Sequence, residues 1–196
     1  IPPEQFEAAV AKAGFFMEKG GVFVFDLNTP YKHRQVLANN QFSVETPDAA
    51  CFWASHYDES AGRVDLDVHI RYEETDEEFD ERFSEYTYPL DQVDCFIINE
   101  VEGKALAQME GEDDLQILDA LSVRFPDAII VLTVGEKGVL YREGDMRLSH
   151  NSYPVHVVDT TAAGDTFCGY FLAGVSRKLS QEKTLEMASK ASTIAV

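Results

Sequence analysis

The sequence predicts an α/β fold in which a mainly parallel sheet is flanked by helices. Three observations carry that expectation. Residues 22–25, 95–98 and 128–134 are short, continuously apolar runs, the pattern of strands buried on both faces. Segments with helical periodicity alternate with them along the chain. The chain has 196 residues, 45% of them apolar, with 13 Phe and 8 Tyr, enough for one domain with a sizeable core.

Residues 4–18 read as a helix, with Phe6, Val10, Ala13 and Met17 on one face and Gly20-Gly21 to end it. The strand at 22–25 follows, and Asp26-Leu27-Asn28-Thr29-Pro30 leaves its C-terminal end. Ligands of open α/β sheets bind beyond such ends, so polar residues here are candidates for substrate contact. Residues 41–88 differ in character. Residues 50–54 and 64–70 look like strands, and the turn chemistry of Asp58 to Gly62 joins them as a β-hairpin. Residues 73–85 are densely acidic with Phe79 and Phe83 at helical spacing, and they predict a solvated acidic helix. Alternation then resumes: a strand at 95–98, a helix through Ala107, a helix at 113–125 and a strand at 128–134. Residues 138–141 pair with 146–148 across Glu143-Gly144-Asp145. Residues 155–158 form a strand leading into Asp159. Helices at 163–177 and 180–196 close the chain, the second capped by Ser180.

The formal charge is -19, from 35 acidic and 16 basic residues. Affinity for nucleic acid comes largely from Lys and Arg at phosphates, so this balance argues against a nucleic-acid partner. It does not exclude a nucleotide, since a helix N-terminus and Mg²⁺ offset repulsion locally. No apolar run is long enough to span a bilayer, and Ile1-Pro2-Pro3-Glu4 has no leader-like character, so no membrane association is expected. The three cysteines, Cys51, Cys95 and Cys168, lack metal-ligand spacing and are odd in number. They read as small buried or half-buried residues, which fits a reducing cytoplasm. The five histidines show no metal-site spacing, and solvent-facing or hydrogen-bonded structural roles are expected for them.

The strongest chemical signal is Asp159-Thr160-Thr161-Ala162-Ala163-Gly164-Asp165-Thr166-Phe167, between a predicted strand and a predicted helix. Ala162, Ala163 and Gly164 let a ligand approach the backbone, and the first N–H groups of a helix lack intrahelical partners, which makes an anion site. Asp165 beside an anion site makes sense where a carboxylate must accept the proton of a hydroxyl attacking that anion, as phosphoryl transfer requires. The other reading is a helix N-terminus where Asp165 favours the dipole and the small residues pack. Asn99-Glu100-Val101-Glu102 follows a strand and is also open to two readings, since Asn99 with Glu102 three residues on has capping-box spacing. Leu132 to Gly138 is either an ordinary turn or a backbone that approaches a nucleotide at its glycines.

These segments resemble, in order, the signatures of the ribokinase-like (PfkB-type) carbohydrate kinases, whose fold is a Rossmann-like sheet flanked by helices. The resemblance implies ATP and Mg²⁺ as cofactors, a sugar or sugar acid as substrate, and transfer to one of its hydroxyls. It implies Asp165 as catalytic base and the backbone of Ala162, Ala163 and Gly164 as the anion hole for the γ-phosphate. It implies that Asn99 and Glu102 organise Mg²⁺ and phosphate, Glu102 mainly through water. It implies that Thr133, Gly135 and Gly138 line the nucleotide site and that Asn28, on the substrate side, faces sugar or phosphate. Many members hold a monovalent cation, often K⁺, at the segment matching Asp159 and Thr161. Lys32 and Arg34 would either meet an anionic substrate or remain surface charges.

The resemblance covers residues 1–30 and 91–196. The family's N-terminal portion has no match, and residues 41–88 have no counterpart, so they are expected to be an insertion. The chain starts without Met before a helix and ends inside another, which suggests a fragment of a longer kinase domain. Related enzymes often dimerise, which leaves a homodimer open. A nucleoside or vitamin-alcohol kinase would share this phosphate machinery, and a non-catalytic binding module using the insertion is the alternative from another class.

Overall fold

The computed structural model describes every residue except 89, 92, 112, 158 and 161. The chain divides into two compact units, Ile1–Lys19 with Phe23–Pro89, and Gly20–Val22 with Leu90–Val196.

In the first unit, helix α1 spans Pro3–Phe16, with Pro at its start and Glu4 in its first turn, both favoured there. No residue of α1 is buried. Phe6 of the predicted apolar face packs its ring on Phe25 at 5.4 Å and on Tyr88 at 4.4 Å. The Tyr88 hydroxyl donates to the Ile1 carbonyl at 2.6 Å.

Residues 22–25, expected as a buried strand, join neither sheet, and Val22, Phe23, Val24 and Phe25 are all exposed. An apolar run becomes a strand only when a neighbouring backbone completes its ladder. The described residues offer this run none.

Four antiparallel strands follow in simple order: β1 Gln41–Glu45, β2 Ala49–Asp58, β3 Arg63–Tyr72 and β4 Glu78–Tyr86. The expected hairpin is β2–β3. Its turn is tied by Asp58, whose carboxylate accepts from Ser60 Oγ at 2.7 Å and Ala61 N at 3.1 Å. Those bonds hold the Asp58 carboxyl below its usual range, Ser60 contributing most.

In place of the acidic helix expected over 73–85 there is a turn at 73–75 followed by the strand β4 from Glu78. Residues four apart share a face in a helix, but also in a strand, so Phe79 and Phe83 fit both. In the structure they lie opposite Ile70 and Leu66 of β3, with Glu81 between them opposite Val68 and Glu85 beyond them opposite Val64. The free edge of β3 supplied the ladder that decided between them, as tertiary pairing commonly does over local preference.

The second unit has a mixed sheet, ordered β5 Cys95–Asn99, β6 Ile129–Thr133, β7 Val139–Glu143 and β8 Met146–His150. β5 and β6 are parallel, while β6–β7 and β7–β8 are antiparallel. The mainly parallel sheet of the sequence reading is therefore confined to one pair, because β7 returns through the Gly135–Gly138 turn and β8 through the hairpin at Gly144. Helices α2 Glu100–Ala107 and α3 Asp114–Arg124 connect β5 to β6, and α4 Ala163–Ser176 and α5 Gln181–Ile194 complete the chain. The strand expected at 155–158 is not found. Val155 and Val157 are exposed and outside any ladder, and residue 158 lies outside the described residues.

Alternation along the two parallel strands divides the core. Phe96, Ile98, Ile130 and Leu132 pack with Leu106 of α2 and Ile117, Leu118 and Leu121 of α3. Cys95, Ile97, Ile129 and Val131 pack on the other side with Phe167 and Phe171 of α4 and Leu185 and Ala188 of α5. Both faces of the sheet are thus covered, which explains the continuously apolar runs. Each side chain of this size contributes roughly 1.5–3 kcal/mol when fully buried, so packing rather than propensity holds α3. Two glycines permit the close approaches. A Cβ on Gly103 would stand 2.8 Å from Leu132 Cδ1, and one on Gly174 would meet Thr184 at 2.7 Å where α4 and α5 cross.

Cys51, Cys95 and Cys168 are half-buried, as expected. Burial first, then Asp94, pushes the Cys95 thiol up to about 12, so it is inert at neutral pH.

Candidate active site

Helix α4 begins abruptly. Ala162, its N-cap, is in the left-handed conformation at φ 64°, ψ 1°, and no side chain among the described residues caps the helix. The turn is held by backbone bonds, Ala163 N to Thr160 O at 3.2 Å and Thr166 N to Ala162 O at 2.9 Å. Ser192 of α5 adds a bond from its hydroxyl to the Ala163 carbonyl at 3.0 Å. Phe167 is buried and stacks on Phe171, so the helix is anchored one turn from its start. Ala162, Gly164 and Asp165 are exposed. A Cβ built on Gly164 would meet nothing within 4 Å, so no protein atom demands a glycine there. The arrangement is an anchored helix N-terminus, without a side-chain cap, with open space above small residues and a carboxylate beside it. Chemically it suits an anion approaching the backbone and a group that needs a proton acceptor. Asp159 stands at the entrance to this segment; Thr161 lies outside the described residues.

At the end of the parallel strand pair, Asn99 of β5 and Thr133 of β6 are register partners, so two of the predicted segments meet. Asn99 caps α2: its Oδ1 accepts from Val101 N and Glu102 N, both at 2.9 Å, and Glu102 returns a carboxylate oxygen to Asn99 N at 2.9 Å. The capping reading of this pair is therefore realised. It leaves the second carboxylate oxygen of Glu102 available on an exposed residue. Mg²⁺ at nucleotides takes one or two carboxylates together with waters and phosphates. That donor set fits an ion brought in with a nucleotide. No cluster of three or more acidic, His or Cys ligands exists among the described residues.

Thr133 Oγ1 donates to the Ile98 carbonyl at 3.4 Å. Beyond it the chain makes a short 3-10 turn, Gly135–Lys137, closed by Val134 N to Gly138 O at 2.9 Å. Gly135 has φ +55°, and a Cβ there would stand 3.9 Å from a carboxylate oxygen of Glu100. Gly138 is the tighter case: at φ +106° a Cβ would lie 2.0 Å from the His150 carbonyl. This glycine is fixed by the approach of the backbone after β8, a structural demand independent of any nucleotide. A shallow groove lined by Leu115, Leu118, Val134, Lys137 and Val139 flanks the turn.

Asn28 belongs to the first unit. Its side-chain amide donates to Glu85 of β4. Nearby, His33 sits in a π-helical turn, Lys32–Leu37, fully buried, with neither ring nitrogen hydrogen-bonded. Its Nε2 is 3.9 Å from the same Glu85 oxygen. Burial lowers its pKa, opposed by Glu85 and aided by Lys32. His33 is thus neither solvent-facing nor hydrogen-bonded, contrary to the expectation for the histidines. Arg34 pairs with Glu59 at 3.4 Å, with both side chains exposed. Sequence reasoning missed Glu85 because it was assigned to a helix; residues 79–85 carry no period-2 apolar pattern that would have marked a strand.

An α/β core with an exposed helix start and an adjacent carboxylate is an arrangement that phosphate-handling proteins use. The signature of pfkB family carbohydrate kinases matches residues 27–196, and the chain belongs to that family. Ribokinase from Haemophilus influenzae is 33% identical over 110 residues, 55% of this chain and 36% of its own length. Fructokinase-1 from Oryza sativa subsp. japonica is 33% identical over 103 residues, 51% of this chain and 31% of its own. Among solved structures, Arabidopsis thaliana ribokinase complexed with ribose and ATP aligns at TM-score 0.51 and 31% identity, over 55% of this chain and 36% of that one. The chain spans about a third of the length of the relatives it matches. Among the described residues, no helix is long and apolar enough to cross a membrane.

Proposed function

We propose that the protein carrying this chain is an ATP-dependent kinase for a hydroxyl of a sugar or sugar-like alcohol. The observation that carries the reading is the start of α4: exposed Asp165 beside an anchored helix N-terminus with no side-chain cap among the described residues and open space at Gly164. Family membership, and the ribose and ATP bound by the Arabidopsis relative, support it.

In this mechanism the Asp165 carboxylate accepts the proton of the acceptor hydroxyl. The hydroxyl oxygen forms a bond to the γ-phosphorus as the bond to the bridging oxygen of ADP breaks. The backbone around Ala162, Ala163 and Gly164 orients the transferring phosphoryl and disperses its charge, at no reorganisation cost because the turn is already formed. Thr133, Gly135 and Gly138 are assigned to the nucleotide, and Asn28 is assigned to the substrate side. Mg²⁺, held through Glu102 and the Asn99 segment, supplies further neutralisation of phosphate charge. Asp159 and Thr161 are assigned to a monovalent cation such as K⁺. Residues 41–88 are taken as an insertion within the kinase domain, and the cytoplasm as its setting.

The test is ADP release by the full-length protein with Mg-ATP and a panel of sugars, sugar acids and nucleosides. Asp165→Asn is expected to lower kcat by about 10²–10⁴-fold, the usual contribution of a positioned proton acceptor, while leaving ATP binding intact. Unchanged turnover would remove Asp165 from the mechanism.

A further inference from the structure

Backbone donors at the start of α4 aim where their peptide planes point. A trans peptide is planar, so the carbonyl of Ala163 and the N–H of Gly164 form one rigid unit and turn together. The two backbone bonds of the turn both act on the plane before it: Ala163 N donates to Thr160 O, and Ala162 O accepts from Thr166 N. The Ala163–Gly164 plane is held differently. No side chain among the described residues caps the helix, and a Cβ on Gly164 would meet nothing within 4 Å. The Ser192 hydroxyl reaches this plane from α5 and donates to the Ala163 carbonyl at 3.0 Å. A carbonyl carries two lone pairs, so it can accept this bond beside one from within α4.

Ser192 is a firm point from which to hold that plane. Leu185, Ala188 and Ser192 share one face of α5 at helical spacing. The first two are buried with Phe167 and Phe171 of α4. Further along, the helices approach so closely that a Cβ on Gly174 would meet Thr184 at 2.7 Å. Sliding α5 along α4 would break this packing, so the hydroxyl stays opposite the turn. Its choice of acceptor is also telling. A helical Ser or Thr hydroxyl commonly bonds the carbonyl four residues back, as Thr193 Oγ1 does to Ser189 O at 2.8 Å. Ser192 instead leaves its own helix. Its bond polarises the peptide and makes the Gly164 N–H a stronger donor.

From this geometry we infer that Ser192 is a positioning residue for phosphoryl transfer: it fixes the Ala163–Gly164 peptide plane so that the Gly164 N–H is aimed before the γ-phosphoryl arrives. The inference rests on the kinase reading above, with the start of α4 as its anion hole. It adds to that reading a side chain that acts through the backbone rather than by touching the substrate.

The experiment measures kcat and KM of the full-length protein with Mg-ATP and the acceptor that wild type phosphorylates fastest in the panel above. The variants are Ser192→Ala, Ser192→Thr and Thr193→Val. Ser192→Ala should lower kcat about tenfold, less than the roughly 10²–10³-fold cost of losing an oxyanion donor outright. The KM for ATP should change less than about twofold, because an aimed donor acts on the transition state. Ser192→Thr keeps the hydroxyl and should recover most of the loss. Thr193→Val deletes a hydroxyl-to-carbonyl bond in the same turn of α5 and should leave kcat within about twofold of wild type. Mg-ADP with aluminium fluoride, a mimic of the transferring phosphoryl, should bind Ser192→Ala about tenfold more weakly than wild type, while Mg-ADP alone binds both equally. Ser192→Cys keeps the volume with a weaker donor, and it carries the test if the Ala variant does not fold. An unchanged kcat in the folded Ser192 variants, or an equal loss in Thr193→Val, would overturn the inference while sparing the kinase reading, which Asp165→Asn tests. Silence of folded wild type across the panel would instead overturn the kinase reading, and the inference with it.

Discussion

His33 illustrates how much one buried side chain constrains. Its ring is out of water with both nitrogens unbonded, an arrangement tolerable only for a neutral imidazole. Burial lowers its pKa below the ordinary 6.5; Glu85 pulls the other way and Lys32 adds to the lowering. A histidine with a depressed folded pKa binds fewer protons folded than unfolded. Stability therefore rises with pH in that window. His33's contribution is fully present above pH 6.5 and is lost as pH falls through 6.5 towards the lower folded value. Urea midpoints at pH 7.5 and 5.5, read on the first unit, should show a loss at pH 5.5 that Glu and Asp titration alone does not explain. His33→Gln should be less stable at pH 7.5, since it disturbs the packing against Tyr57, but should lose less on acidification. An identical pH dependence in the variant would mean that His33 reaches water in solution.

At the scale of elements, the capping box at α2 performs a task separable from catalysis. The Asn99 side chain satisfies two orphan N–H groups of the helix, and Glu102 satisfies the N–H of Asn99 itself. Asn99→Ala should therefore cost about 1 kcal/mol of stability in denaturant titration. Glu102→Gln keeps a carbonyl oxygen for the same bond, so its stability should stay within about 0.5 kcal/mol of wild type. If Glu102 also organises Mg²⁺ and phosphate, the same substitution should lower kcat/KM more than about tenfold at fixed Mg-ATP. A Gln variant with full activity would leave Glu102 as a cap and nothing more.

The helices and the core strands were legible because their signals are local: Ser180 and Asn99 as caps, and the continuously apolar runs that became Cys95–Asn99 and Ile129–Thr133. Residues 22–25 and 73–85 were misread because their structure depends on which backbone lies alongside. Phe79 and Phe83 carried a spacing that helix and strand share. Val22 to Phe25 carried a strand's composition without a partner among the described residues. The candidate site residues Gly164, Asp165 and Gly138 of the second unit stood out by pattern. In the first unit, the contact of Glu85 with Asn28 became visible only once β4 had a register.

For the molecule as a whole, the dominant physical quantity is its charge of -19. It is unevenly spread: residues 41–88 hold fourteen acidic and three basic side chains. Those three arginines are already paired, Arg63 with Asp65 at 2.9 Å, Arg71 with Glu73 at 2.6 Å and Arg82 with Asp67 at 2.5 Å. The remaining carboxylates of the four-stranded sheet repel one another across a thin layer, and such repulsion is screened over about 10 Å at 0.1 M salt. Raising NaCl from about 10 mM to 150 mM should therefore stabilise this unit more than the other. The chain's one tryptophan, Trp53, stacks on Phe42 within that sheet at 5.3 Å and reports on it selectively by fluorescence. Its thermal midpoint should rise by about 3 °C, the scale of a change near 1 kcal/mol in a chain of this size. The helical signal at 222 nm comes mostly from α2, α3, α4 and α5 in the second unit and should move less. Tetramethylammonium chloride should act as well as NaCl if screening is the cause. A flat response of Trp53 would mean that the carboxylates of the sheet are neutralised by contacts with other parts of the protein, and a rise only with a particular metal cation would turn the acidic face from a source of repulsion into a binding surface.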